Sequence, residues 1–284
     1  MTVDITRISR LGFGVSGPHK TWAVSRENTG RLIHQGVDLG INVFDTAPKY
    51  GDGEAERRLG TAVSQLDRSR LFLVSKAGIL GENNRRDFSA DGIVRSVEGS
   101  LRRLKTDYLD ALLLQGAASS ELTEELFDAL DQLKTAGKIR YAGASGRGEE
   151  LDAPIGDPRF DLIMAPHYYG QSETQKQRLR AARGAGKIIL GIEAKNGSPS
   201  GFPSPFSRAG LWYASRTALR MVSDLSLRIR GERLPPRGDK PIAEAFEWAI
   251  NDPLSDCLMV QTTRPAHLQS LAHMAGLDAG PGAA

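Results

Sequence analysis

Asp45, Tyr50 and Lys76 are the residues whose types and spacing best suit proton transfer in this chain. A phenol near its reference pKa of about 10 is a reluctant proton donor at neutral pH, and a neighbouring ammonium lowers that pKa by favouring phenolate. Lys76 is the residue expected to do this for Tyr50. A carboxylate beside the lysine keeps it charged and oriented, which is the role expected of Asp45. Taken singly, a strand-end aspartate caps a helix, a tyrosine lies half-buried and a lysine is solvated. Position sets these three apart. Asp45 closes the apolar run Ile41–Phe44, Tyr50 follows five residues later, and Lys76 comes just after the next run, Leu71–Val74.

Those runs are two of eight that are too short for helices and are bounded by glycine, proline or polar residues, the pattern of buried parallel strands. The others are Leu11–Val15, Leu109–Leu114, Ile139–Ala144, Leu162–Ala165, Ile188–Ile192 and Leu258–Val260. Between them, apolar residues recur at helical spacing, as in Leu32, Ile33 and Val37 or Ile93, Val97, Leu101 and Leu104, so each helix carries one stripe to lay on a sheet. Gly40 and Gly137 follow two such stripes where a C-cap glycine is expected. This alternation implies a parallel sheet, closed or open. Gly12-Phe-Gly14 lacks the third glycine of a dinucleotide fingerprint, and the polar residues of interest end several different strands. Both features favour a closed α/β barrel, the TIM (β/α)8 architecture, which keeps its chemistry at strand C-termini.

The length, 284 residues, suits a single barrel as well as two small domains, and the strand-helix alternation over the whole chain makes one barrel domain over 1–284 the expectation, with a helical and loop insertion at about 201–240 flanked by Pro203, Pro205, Pro235 and Pro236, and a flexible tail over 278–284. Lys plus Arg number 37 against 34 Asp plus Glu, too small an excess to imply a nucleic-acid partner. The basic stretches Arg178–Arg183 and Arg228–Arg233 lack interleaved aromatics and read as solvated faces. The one cysteine, Cys257, excludes an internal disulfide and sits in an apolar run as a buried small side chain. With no apolar signal region, no membrane-length apolar stretch and no metal-ligand spacing, a cytoplasmic protein without membrane or metal partners is expected.

The local sequence around the trio resembles the aldo-keto reductase signature: Phe44-Asp45-Thr46-Ala47, then Tyr50-Gly51-Asp52-Gly53-Glu54-Ala55-Glu56, then Val74-Ser75-Lys76. Ser100–Asp110, Gly137–Ser145 and Thr262–Leu268 resemble further segments of that family, so the likeness runs from Leu11 to Leu268. It implies a barrel that uses NADPH to reduce a small-molecule substrate. Tyr50 would be the general acid, with Lys76 and Asp45 behind it. Hydride would come from the nicotinamide, because no side chain can supply one. The resemblance also assigns Thr262, Thr263 and Arg264 to the cofactor's adenosine phosphate, where hydroxyls, helix-start amides and a guanidinium make a sensible cradle.

The chain departs from the family pattern at three places. Where a histidine usually ends strand four stands Gln115, which donates a neutral hydrogen bond but cannot become a cation. The two amides that usually clamp the nicotinamide are replaced, giving Ser145-Gly146 after strand five and Met164 on strand six. His167, Tyr168 and Tyr169 are candidates to fill that gap, or else are loop aromatics over the barrel mouth. Glu193 and Lys195 end strand seven, as an ion pair at the rim or as an extra acid and base. Reduction of a carbonyl or an activated C=C bond is therefore the leading expectation, with Gln115 helping to hold the substrate oxygen. A non-redox enzyme on the same barrel, or a nucleotide-sensing regulatory protein with little turnover, are the alternatives.

Overall fold

The computed structural model describes residues 4–81, 83–198, 206–229 and 240–277. Eight parallel strands close into a barrel: β1 (Leu11–Gly14), β2 (Val43–Asp45), β3 (Phe72–Ala77), β4 (Leu109–Gln115), β5 (Ile139–Ser145), β6 (Leu162–Pro166), β7 (Ile188–Ile192) and β8 (Cys257–Val260). Each strand pairs with its sequence neighbours, and β8 pairs with β1. All eight expected runs are strands. Several extend beyond their apolar run: β2 includes Asp45, β3 runs on through Lys76 to Ala77, β4 through Gln115 and β5 through Ser145. The polar residues thus belong to the hydrogen-bonded ladder rather than to loops.

Period-two alternation divides the strands into two cores. Val43, Phe72, Val74, Ala111, Leu113, Leu162, Met164, Leu190, Cys257 and Met259 fill the barrel interior. Leu11, Phe13, Phe44, Leu73, Leu112, Leu114, Ile163, Ile189 and Val260 face outward and are covered by helices. Asp45, Lys76, Gln115 and Ser145 each lie two residues beyond an inward position, at the C-terminal end of their strand.

The helices are α1 (Arg26–Asp38), α2 (Glu54–Val63), α3 (Ala90–Leu104), α4 (Glu124–Thr135), α5 (Asp152–Gly156), α6 (Glu173–Gly184), α7 (Arg208–Ile229), α8 (Ile242–Asn251) and α9 (Pro265–Met274). Ser25, Ser89, Thr123 and Ser172 cap α1, α3, α4 and α6 through their side chains. Gly40 and Gly137 adopt φ of 87° and 70°, the left-handed conformation that ends a helix. The expected insertion contains α7, between β7 and β8, while 199–205, 230–239 and the tail 278–284 lie outside the described residues. Arg178, Arg180 and Arg183 on α6 pair with Asp152, Glu173 and Asp256, consistent with a solvated helix face.

The opposite end of the barrel is tied by carboxylates. Asp110, fully buried at the start of β4, accepts from the Leu73 amide (2.9 Å), Arg68 (2.7 Å) and Arg140 (2.7 Å). Asp161 and Asp256 accept likewise from the backbone amides of Ala142 (2.9 Å) and Ile189 (2.7 Å). These bonds tie β3 to β4, β4 to β5, the lead-in of β6 to β5 and the lead-in of β8 to β7 at the end away from Lys76, the end where a barrel carries stability rather than chemistry. Cys257 is buried beside Met259, and burial pushes its thiol pKa up. Among the described residues, no helix is long and apolar enough to cross a membrane and no cluster of ligating side chains could hold a metal.

The interior leaves no room for added atoms at β5. A Cβ on Gly143 would run into the Leu162 carbonyl and the Leu113 side chain. Gly143→Ala is therefore expected to destabilise the protein by about 1–3 kcal/mol, seen as a lower midpoint in urea unfolding.

Candidate active site

β2 and β3 bring Asp45 and Lys76 side by side at the barrel mouth. Lys76 is only 2% exposed, and its Nζ donates to Asp45 Oδ1 and, at 3.0 Å, to the Thr46 carbonyl. Thr46 is fastened in turn: its amide donates to the Val74 carbonyl (3.0 Å) and its hydroxyl to that of Val15 (3.2 Å). Burial alone would push the Lys76 pKa down, but the Asp45 charge and the Tyr50 oxygen outweigh it and leave the pKa raised, so the lysine stays an ammonium. Burial also dominates at Asp45 and raises its pKa against the pull of Lys76. Nζ lies 5.4 Å from the centre of the Tyr50 ring.

Tyr50 reaches this pair from a turn that only a few residue types can form. Gly51, Asp52 and Gly53 all have positive φ, at 64°, 48° and 81°. Two glycines and an aspartate are the low-strain choices for three successive left-handed residues. A side chain at Gly51 would also meet the Lys20 carbonyl at 2.8 Å. The turn closes with the Tyr50 amide donating to the Ala47 carbonyl (3.1 Å) and the Ala55 amide to that of Tyr50 (3.2 Å), and it delivers the chain into α2.

A second buried ionic group supports the first. Glu56 of α2 is fully buried, accepts from Ser75 Oγ at 2.8 Å, and pairs with Arg103 of α3 at 2.6 Å. Ser75 precedes Lys76 on the outward face of β3, so this carboxylate fixes the strand from behind. None of the three was expected from the sequence. The signal was present: Glu56 lies three and seven residues before Leu59 and Val63, on the buried stripe of α2, and a carboxylate there requires a buried partner.

The remaining candidate residues divide into those at the mouth and those drawn elsewhere. Gln115, Ser145 and Met164 are successive partners across β4, β5 and β6. Among the described residues, the Gln115 and Ser145 side chains have no hydrogen-bond partner, so both are free to meet a bound ligand. Met164 fills the barrel interior. Gly146 donates its amide to the Met164 carbonyl (3.1 Å), and a Cβ there would meet Glu150 Cγ at 2.7 Å. Glu150 thus occupies the room a side chain at 146 would need, its carboxylate accepting from the Arg147 amide at 2.7 Å. Burial acts to raise the Glu150 pKa, but the amides of Arg147, Glu150 and Gly148 outweigh it and lower it.

The structure corrects one expectation and narrows two others. Glu193 does not pair with Lys195: it binds Arg147 (2.7 Å) and Asn196 (2.9 Å), while the Lys195 ammonium lies over the Tyr213 ring. The left-handed backbone at Glu193, φ 65°, starts the short turn Ala194–Gly197 that separates the two side chains. Thr262 is buried, and its hydroxyl is engaged by the Arg264 amide (3.2 Å) and His267 Nδ1 (3.1 Å), leaving half-buried Thr263 and exposed Arg264 at the start of α9. His167 stacks on Trp248 of α8 at 5.1 Å, and Tyr169 packs edge-on against the same ring. His167 therefore packs beneath α8 instead of filling the clamp. A further histidine, His19, is fully buried and bridges Thr29 (3.1 Å) to the Thr262 carbonyl (2.9 Å), with its pKa pushed down to about 4 by burial.

Across residues 10–151, half its length, the chain matches the Aldo/keto reductase family. An aldo-keto reductase of Bacillus subtilis is 26% identical over 94% of this chain and 85% of its own. A solved Pseudomonas aeruginosa protein assigned to the aldo-keto reductases superposes with a TM-score of 0.70 at 26% identity, covering 97% of this chain and 93% of that one. An aldo/keto reductase from Klebsiella pneumoniae, solved in complex with NADP and acetate, shares the fold with a TM-score of 0.69 at 23% identity, over 96% and 88% of the two chains.

Removing the Asp45 charge tests the buried pair. Asp45→Asn leaves a buried ammonium unpaired and is expected to destabilise the protein by about 3–5 kcal/mol near neutral pH. In this variant the folded-state lysine pKa falls below its unfolded value, so the unfolded chain binds more protons and stability rises with pH. The deficit should shrink as pH approaches the ordinary lysine value of 10.5. Urea unfolding at about pH 7 and about pH 9.5 measures this, and an equal deficit at both would rule out an uncompensated charge as the cause.

Proposed function

Because this chain belongs to the aldo/keto reductase family, we propose that it is an NADPH-dependent oxidoreductase that reduces a carbonyl or activated C=C bond of a small molecule. The observation that carries the reading is the buried Lys76 ammonium held by Asp45 and set against Tyr50 at the barrel mouth. The relatives are oxidoreductases, and the Klebsiella pneumoniae protein was solved with NADP. The donor set is suited to such a cofactor. Gln115 and Ser145 present unpartnered polar groups at the mouth, and Thr263 and Arg264 stand at a helix start where a phosphate is favoured.

When bound, the nicotinamide supplies the hydride. In carbonyl reduction Tyr50 gives its hydroxyl proton to the carbonyl oxygen, while the nicotinamide would supply the hydride for the carbon, so that an alcohol results. Lys76 stabilises the negative charge that develops on the tyrosine oxygen, and Asp45 with the Thr46 carbonyl prevents the ammonium from turning away. Gln115 donates an N–H to the substrate oxygen and orients it without contributing a charge. Ser145 would hydrogen-bond the carboxamide in place of a paired clamp, with Gly146 and Met164 beside it. Arg264, with Thr263 and the first amides of α9, would hold the adenosine phosphate, while Thr262 braces that segment from within.

Titration with NADPH and NADH, followed by nicotinamide fluorescence and by oxidation with a panel of aldehydes and enones, tests the proposal. Tyr50→Phe should lower turnover by at least about 100-fold while leaving NADPH affinity within about twofold. Retained turnover would remove Tyr50 from the reaction, and no binding of either nucleotide would remove the cofactor. Arg264→Ala should weaken NADPH by about tenfold or more and NADH far less, because only NADPH carries the extra phosphate that a charge-assisted bond would hold.

A further inference from the structure

Away from the mouth, on the outside of the barrel between α1, α2 and α3, lies a groove of about 420 Å³ whose lining is almost entirely cationic. Arg26, Arg57, Arg102, Arg103 and Lys105 converge on it, with the Thr61 hydroxyl and bare Gly99 between them. The volume falls within the range of small-molecule sites, about 300–1,000 Å³. Among the described residues, the carboxylates bonded to these cations are two. Glu54 serves Arg26 and Arg57 as well as Arg58, and Glu56 serves Arg103. Arg102 and Lys105 have no acidic partner among the described residues. The groove therefore carries uncompensated positive charge within a concave surface.

Parts of it are held in place rather than merely exposed. Arg103 is fixed at Nε by buried Glu56, and its terminal nitrogens lie close over Gly99, where a Cβ would meet Nη1 at 2.9 Å. Gly53 is equally tight against the stem of Arg103, at 2.5 Å from an added Cβ to Cδ. Two small residues thus make the slot in which this guanidinium sits. Lys105 adopts φ 54° at the C-cap of α3, a place where glycine is the less strained residue. The α3 dipole favours a cation there, and the same cation faces the groove. Planar guanidiniums beside an ammonium and a hydroxyl suit the oxygens of a phosphate.

We propose that this groove binds a small polyanionic phosphate compound, a polyphosphate or a multiply phosphorylated metabolite, at a site separate from the barrel mouth. Its charge is gathered into one pocket, whereas a nucleic acid or a lipid surface is met by an extended stripe or face. The site also adjoins the Tyr50 turn: Arg57 donates to the Asp52 carbonyl at 3.0 Å, and Arg103 packs on Gly53.

Inorganic triphosphate is the probe, titrated calorimetrically into the whole protein at low ionic strength without nucleotide. Saturable binding at one site is expected. The exposed double substitution Arg102→Ala with Lys105→Ala should weaken it by about tenfold or more, and Arg70→Ala with Arg180→Ala, which removes the same charge from other faces, by less than about twofold. Equal weakening in the two double variants, or no saturable binding, would overturn the proposal. Unchanged affinity in Arg264→Ala is expected, and loss there would move the anion to α9 at the mouth. Tighter binding of a single-stranded oligonucleotide or of phosphatidylglycerol vesicles than of triphosphate would overturn the assignment to a small ligand.

Discussion

A lysine and an aspartate removed from water together each lose hydration worth several kcal/mol, and the loss is recovered only if their geometry is held tightly. Lys76 and Asp45 meet that condition because they are on paired strands, with Lys76 two residues past Val74, the register partner of Asp45, and so on the same face. The Thr46 carbonyl accepts a further hydrogen bond from the ammonium, and Thr46 is itself bonded to the chain after β1 and to β3. Much of the mouth follows from this pair. A slip of one residue in β3 would turn Lys76 outward into the helix layer and leave Asp45 facing an apolar interior.

The surrounding structure reads as support for that constraint. Glu56 pulls Ser75 from the outer side of β3 while Lys76 is held on the inner side, so the strand is anchored on both faces at adjacent residues. Arg103 completes the outer anchor, linking α3 to α2. The left-handed turn of Gly51, Asp52 and Gly53 then brings Tyr50 back over the ammonium before α2 begins. At the far end of the barrel Asp110, Asp161 and Asp256 hold the strands by their amides, keeping the structural charges apart from the reactive ones.

The departures from the family pattern acquire physical reasons in the fold. At Gly146 the space a side chain would take is filled by Glu150, whose carboxylate accepts from the Arg147 amide, so a larger residue there would have to displace it. Met164 completes the apolar interior. Gln115 ends β4 with an unpartnered amide, so it offers direction to a bound oxygen rather than charge.

The residues alone determined the strands, the barrel and the strand-end positions of Asp45 and Lys76, with Tyr50 five residues beyond the first. Those depend on short-range properties: apolar runs of strand length, helical stripes between them, and glycines where a left-handed turn or a cap is needed. The same periodicity placed Gln115 and Ser145 at strand ends. Which charges meet was decided by the tertiary structure. Glu193 and Lys195 are two apart in sequence, yet the turn between them sends one to Arg147 and the other to Tyr213. His167 and Thr262 lie at strand ends like the reactive residues, but one packs beneath α8 and the other turns inward against His267. The partnership of Glu56 with Arg103 joins two helices 47 residues apart, as does the cationic groove beside it. Electrostatic pairing acts over a few ångströms between groups that the chain brings together only when it closes, so local pattern specified the frame and the closed barrel selected the partners.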